Sequence, residues 1–195
     1  MPPKTRITKE MIIDAAFDIA REAGAENINA RTVAQRLNCS TQPVMYHFAT
    51  IEELKKTVYA KADGYHTEFL LNMDEINSEK GRKEMMLVIG LNYIRFAIQE
   101  PQLFRFLFQS GFVAGDSLAE MIDSEELNPV IWPMQEAMEM NLEQTKKVFL
   151  TLFLFVHGYA SIIANNSLEY DEELIAAQLQ RAYKGAVLAV QEEDK

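Results

Sequence analysis

Residues 28–54 constrain the fold more than any other stretch, because their helix-start signals are too close together for anything but short helices and tight turns. Asn29 is a good N-cap, since its side chain accepts a hydrogen bond from a free amide of the opening turn. Val33, Ala34 and Leu37 then make one narrow apolar face. Asn38 suits the left-handed conformation that ends a helix where glycine is absent. Ser40 caps the next helix, and Pro43 falls in its first turn, where a missing N–H does no harm. Thr50 and Glu53 form a capping box that starts a third, longer helix. Short helix, tight turn, second short helix is the pattern of a helix-turn-helix.

The second short helix cannot stand alone in water at two turns. Val44, Met45 and Phe48 can face inward and anchor it, leaving Thr41, Gln42, Tyr46 and His47 towards a partner. Gln42 offers the donor–acceptor pair that matches adenine in a major groove, and Thr41 and Tyr46 can reach phosphate oxygens.

Upstream, Thr8 caps an amphipathic helix over residues 9–23, with Ile13, Ala16, Phe17 and Ala20 on one face and Gly24 as its stop. Lys4 and Arg6 precede it in an arm. Downstream the helix from Thr50 runs to about Leu71. After a polar break at Asn72–Gly81, apolar helices are expected over 82–99 and 101–110. A further stretch is introduced by Gly115-Asp116-Ser117 and interrupted at Asn128-Pro129, and long helices follow over 143–165 and 172–190. The fold class expected is all-α with about nine helices. Residues 1–50 form a three-helix head carrying the helix-turn-helix, and 51–195 form a ligand-binding and dimerisation domain.

Composition agrees: 48% hydrophobic and 25% charged residues are ordinary for a globular chain, and eight Gly with six Pro favour long helices. No run of about 18 apolar residues predicts a membrane span, no signal-peptide core is present, and the expected compartment is the cytoplasm. Cys39 is the single cysteine, so no intramolecular disulfide forms. The net charge of −10 is unevenly spread. Residues 1–61 carry nine Lys/Arg against seven Asp/Glu, and the remainder ten against twenty-two. The basic residues gather around the helix-turn-helix, which permits nucleic-acid binding.

Over residues 8–56 the chain resembles the tetracycline-repressor (TetR) family of bacterial regulators. The likeness rests on the first helix and Gly24, the Arg31-Thr32-Val33-Ala34 helix, Asn38-Cys39-Ser40, Tyr46-His47-Phe48 and Glu52-Glu53-Leu54. It implies a homodimer that binds a double-stranded DNA operator with two heads and is released by a small apolar or amphipathic effector. Placed by physical role, Arg31 and Thr32 meet phosphates. Ser40, Thr41, Gln42, Pro43 and Val44 line the base-reading turn, and Tyr46, His47 and Lys55 meet the backbone. The chain departs from the family at the turn, where Asn38-Cys39-Ser40 replaces Gly-Val-Ser. Met45 and Ile51 stand where Tyr and Lys are common, removing two phosphate contacts that Lys55, Lys56, Tyr46 and His47 compensate.

On the equivalent helices, His66, Phe69, Met86, Ile89, Tyr93, Phe104, Phe108, Trp132, Met138, Phe153 and His157 are candidate ligand contacts, with Asn166 as a further orienting group. Methionines among them suit a pocket that adapts to varied shapes. Phe149, Phe153, Val156, Ala160, Leu179, Tyr183, Ala186 and Val187 are candidates for a four-helix interface between two copies. No phosphate-cradling Gly-rich loop, metal-spaced His/Cys set or Gly-x-Ser-x-Gly elbow occurs, so neither an enzyme nor a cofactor is expected. The rival class is an all-α ligand carrier or adaptor that kept the fold without reading DNA.

Overall fold

A computed structural model describes residues 7–72, 76, 84–112, 117–166 and 168–193. Among these the chain is all-α, with ten α-helices rather than nine and no strand. They are α1 (Lys9–Ala23), α2 (Ala30–Arg36), α3 (Thr41–His47), α4 (Ile51–Leu70), α5 (Met85–Gln99), α6 (Pro101–Phe108), α7 (Leu118–Asp123), α8 (Asn128–Met138), α9 (Leu142–Asn165) and α10 (Glu172–Glu193). Lys4 and Arg6, most of the polar break and the Gly115-Asp116 pair lie outside the described residues.

The chain divides into two compact units, Met1–Tyr65 with Glu100–Val113, and His66–Gln99 with Ala114–Lys195. The boundary expected at residue 50 therefore falls inside the first unit, which also takes the start of α4 and all of α6. Most of α6 has nowhere to go but inside: Leu103, Phe104, Phe106 and Leu107 are all buried, and the helix packs on α1. It supplies an apolar wall that three short helices lack.

Local chemistry sets the first unit's helix ends. The Thr8 hydroxyl accepts from the Met11 amide (3.2 Å), and Gly24 ends α1 at φ +95°. Asn29 Oδ1 accepts from the Arg31 and Thr32 amides (both 3.0 Å), and the Thr32 hydroxyl reaches back to the Asn29 amide. Asn38 takes the left-handed conformation at φ 50°. The Thr50 hydroxyl accepts from the Glu53 amide (3.1 Å), while the Glu53 carboxylate reaches one residue further back than expected, to the Ala49 amide (3.0 Å). A polar clamp joins α1 to α4 and to the start of α6. Arg21 donates through both guanidinium edges to the buried Glu100 carboxylate, which also accepts from the Tyr65 hydroxyl (3.1 Å).

In the second unit α9 packs against α5, α8 and α10. The approach of α5 to α10 is close enough to need Gly90: a Cβ there would stand 2.5 Å from a Leu179 methyl. Arg95 ties the same helices together, donating to Glu172 (2.6 and 3.1 Å) and to Asn92 (2.9 Å). By length and composition α9 would be able to cross a membrane. Here it is a core helix, begun by an Asn141–Gln144 capping box and carrying hydrogen-bonded His157 and Ser161.

Candidate nucleic-acid interface and ligand cavity

Two fully buried side chains, Val44 and Phe48, anchor α3 at i and i+4. Of the two positions the sequence offered Val44, the inner face and the base-reading turn, it does not take the second. It is instead part of the first unit's core, because a seven-residue helix needs at least one apolar tooth on its inner side. The outward face is then Thr41, Gln42, Met45 and Tyr46, all exposed. Met45 was expected to face inward but is 45% exposed, beside Tyr46 at 80%.

The other candidates take distinct positions. Ser40 has the extended backbone of an N-cap, but its hydroxyl makes no capping bond. Pro43 is half-buried in the first turn. His47 is half-buried and donates from Nε2 to the Ile7 carbonyl (3.2 Å), which fixes the base of the N-terminal arm to α3. The Tyr46 and His47 rings meet edge-on at 5.2 Å. Thr32 is committed to its own helix start, where its hydroxyl donates to the Asn27 carbonyl (2.7 Å). It positions α2 more than it offers a free contact. Arg31 is exposed on α2, and Lys55 is half-buried on α4 beside the exposed Lys56.

The basic residues of this unit do not all serve an interface. Arg36 pairs with Glu22 (2.5 and 2.8 Å) and Asp18, Lys61 with Asp14 (2.5 Å), and Arg21 with Glu100. Lys9 lies over the Phe48 ring at 5.0 Å. The pairing raises the Arg36 and Arg21 pKa values, chiefly through their carboxylate hydrogen bonds.

In the second unit, five of the candidate ligand contacts assemble into one aromatic cluster. His66 meets Tyr93 and Phe96 edge-on (5.4 and 4.8 Å), Phe69 meets Phe96 (5.4 Å), and Phe153 stacks on His157 (5.4 Å) and meets Tyr93 (6.0 Å). Tyr93 and His157 share a hydrogen bond through the hydroxyl and Nδ1 (2.9 Å), and His157 Nε2 is 3.3 Å from the Ser161 hydroxyl. Burial pushes the His66 pKa down to about 3, lowers that of His157 and raises that of Tyr93. All three groups are therefore held neutral. A neutral imidazole has one donor and one acceptor nitrogen, so Tyr93–His157–Ser161 is a directional chain.

Sequence reasoning pooled residues that the fold separates. Phe104 and Phe108 belong to the first unit, where their rings pack at 5.1 Å. Trp132 is 60% exposed, and Ile89 is core, packed with Val88, Val130 and Met134. Met86 and Met138 line a cavity of about 90 Å³ with Leu152, Leu179, Gln180 and Tyr183. Of the candidate dimer residues, Val156, Ala160, Leu179 and Ala186 are buried within their own unit. The outward apolar side chains of α9 and α10 include Leu142, Leu154, Ile162, Leu174 and Leu188, at 43–59% exposure.

No family model matches the chain. The uncharacterized HTH-type transcriptional regulator YobS of Bacillus subtilis is 21% identical over 175 residues, covering 90% of this chain and 88% of that protein. A member of the TetR family from Streptomyces coelicolor superposes with a TM-score of 0.61 at 16% identity, covering 89% of this chain and 96% of its own. A TetR transcriptional regulator from Rhodococcus sp. RHA1 gives 0.59 at 15% identity over 91% and 94%. The multidrug binding protein EbrR, solved with imidazole, gives 0.51 at 19% over 89% and 88%. The chain therefore has the fold of the TetR-family regulators, and a sequence relative is an HTH-type transcriptional regulator.

Proposed function

We propose that this protein is a sequence-specific DNA-binding transcriptional regulator of the TetR type. It is a cytoplasmic repressor that binds a palindromic operator as a homodimer and leaves it when a small apolar or amphipathic effector binds. The observation that carries this reading is the outward face of α3, four exposed side chains held in place by two fully buried anchors. Gln42 and Tyr46 are exposed rather than part of the first unit's core, which leaves them available to a major groove and its flanking phosphates. Arg31 on α2, with Lys55 and Lys56 on α4, supplies positive charge for phosphates on both sides of the motif.

Leu154 and Ile162 on α9, and Leu174 and Leu188 on α10, support assembly of two copies, because each helix keeps an outward apolar face after its inner face is buried. Gly158 and Gly185 have open space where a Cβ would stand, which allows close helix approach. Two heads would then read half-sites about 34–36 Å apart, or a multiple of that. The methionine-lined cavity supports an effector site in the second unit. Its volume of about 90 Å³ is below the ~150 Å³ that accommodates benzene in an engineered apolar cavity. Entry of a larger effector therefore moves Met85, Met86 or Met138, the most adaptable side chains of the lining. The description of EbrR as a multidrug binding protein supports a small-molecule role for the same fold.

The test is selection of bound fragments from a random duplex pool. A palindromic motif with half-sites one turn apart, bound with an affinity that falls steeply with salt, is the expected result. No enrichment above background at low salt refutes DNA reading and leaves the ligand carrier as the function.

A further inference from the structure

We propose that Met45 reads DNA directly, as a thymine-methyl sensor, and that with Gln42 it specifies an adenine and a thymine on neighbouring base pairs in each half-site. The inference rests on the DNA-binding reading above and goes beyond it by naming what the operator must contain. Met45 is the one exposed side chain on α3 without a hydrogen-bond donor or a strong acceptor, and it lies among Thr41, Gln42 and Tyr46. Val44, the other candidate for a methyl contact, is fully buried and out of reach. An apolar side chain held in water gains by finding an apolar surface, and in the major groove that surface is the thymine 5-methyl group.

The spacing fits. Gln42 and Met45 are three residues apart and share a face of α3. That separation is about 4.5 Å along a helix axis, close to the ~3.4 Å step between base pairs. A Gln42 amide bonded to adenine N6 and N7 thus places the Met45 thioether at the adjacent pair. Thr41 lies four residues before Met45 on the same side and is exposed, within reach of a flanking phosphate when α3 is docked. Methionine has the rotatable length to follow the methyl wherever the docking angle puts it.

The experiment begins with the operator recovered from the random pool and uses the full-length dimer at one fixed salt concentration. Each half-site thymine beside the Gln42 adenine is replaced by deoxyuridine, which removes the methyl and nothing else. Wild-type protein should bind the deoxyuridine duplex about fourfold more weakly for each methyl lost, the value for one CH2-sized group, and about 15-fold more weakly with one lost in each half-site. Met45→Ala should bind the two duplexes equally, and Met45→Leu should retain the discrimination. Gln42→Ala should lose affinity for the adenine-bearing site and keep the thymine preference. The Met45 side chain is exposed, so neither Met45 variant should alter the thermal midpoint, which is measured alongside.

Equal wild-type binding to the thymine and deoxyuridine duplexes overturns the proposal, as does discrimination that survives in Met45→Ala. A selected half-site without neighbouring adenine and thymine overturns it too, while leaving the regulator reading intact. Failure to enrich any sequence is a different result, and it removes the DNA-binding reading itself.

Discussion

In the first unit the short helices α2 and α3 and the start of α4 depend on local polar side chains, whereas in the second the long helices α5, α9 and α10 are held mainly by buried rings and close apolar contact. Asn29, Thr32, Thr50 and Glu53 close helix starts in the first, and a clamp of Arg21, Glu100 and Tyr65 ties α1 to its neighbours. In the second, His66, Tyr93, Phe96 and Phe153 interlock, and α5 comes so near Leu179 that a Cβ at position 90 would force its methyl to shift. Charge follows the same division. The residues of the first unit include ten Lys/Arg against nine Asp/Glu, and those of the second nine against twenty. A surface that meets a polyanion can be laid out by local rules on small elements. A unit proposed to hold an apolar effector needs bulk, and bulk is specified by packing.

If that contrast is right, removing one ring from the second unit is the most damaging single change. Phe96 is fully buried between His66 and Phe69. Phe96→Ala should cost about 3–5 kcal/mol, the usual range for a buried phenylalanine, and urea unfolding reads this directly. A loss below about 1 kcal/mol would mean that the cluster collapses around the gap, and that the unit is softer than its packing implies.

The next effect is smaller and depends on pH. His66 has an ordinary value near 6.5 when unfolded and about 3 when folded, because burial penalises its cation. Below pH 6.5 the unfolded chain takes up a proton that the folded chain refuses. The stability is therefore fully present above that pH and is lost as pH falls towards 3, at about 1.4 kcal/mol per pH unit. Between pH 7 and 5 the His66 contribution should fall by about 2 kcal/mol, and His157, whose pKa burial also lowers, adds a loss of the same sign. His66→Phe keeps a ring in the cluster and should abolish this part of the pH dependence, seen as a flatter plot of unfolding free energy against pH. The interval stops at pH 5 because carboxylates such as Glu172, whose pKa is lowered chiefly by its hydrogen bond from Arg95, begin to contribute with the same sign below it. An unchanged slope in the variant would show that His66 is not the group being titrated.

The contrast between the units also explains which features were legible in the sequence. Thr8, Gly24, Asn29, Asn38 and Thr50 were assigned correctly because a cap or turn is decided by a few neighbouring residues, whereas Glu53 reaches the Ala49 amide instead of that of Thr50 and Ser40 makes no capping bond. The placement of α6 was not legible, since its apolar faces say that it is buried but not in which unit. The phase of α9 was ambiguous for a related reason. Val148, Phe149, Leu152, Phe153, Phe155 and Val156 are apolar on most sides, and only the positions of α5, α8 and α10 decide which of them turn inward. The candidate dimer residues were accordingly drawn partly from the inner face. Met45 was misread by the same logic in miniature: hydrophobicity suggested burial, and two turns of helix had room for only Val44 and Phe48 inside.

The smallest stability effect belongs to the first unit and tests whether local caps govern it. Asn29 satisfies two amides at the start of α2 and is exposed, so Asn29→Ala removes hydrogen bonds without opening a cavity. The cost should be about 1 kcal/mol, within the 0.5–2 kcal/mol range of N-cap losses. Its functional consequence should be larger than that figure suggests. The Thr32 hydroxyl also bonds back to Asn29, and α2 and α3 pack on each other, so fraying this start loosens the platform on which α3 rests. Asn29→Asp, which keeps the acceptor, should restore the stability. Operator affinity and urea midpoint measured on the same three proteins separate the possibilities. A fall in affinity that tracks the lost cap supports a head governed by local rules. Full affinity in Asn29→Ala would mean that α1 and α6 hold the platform without it, bringing the first unit closer to the packing-governed second.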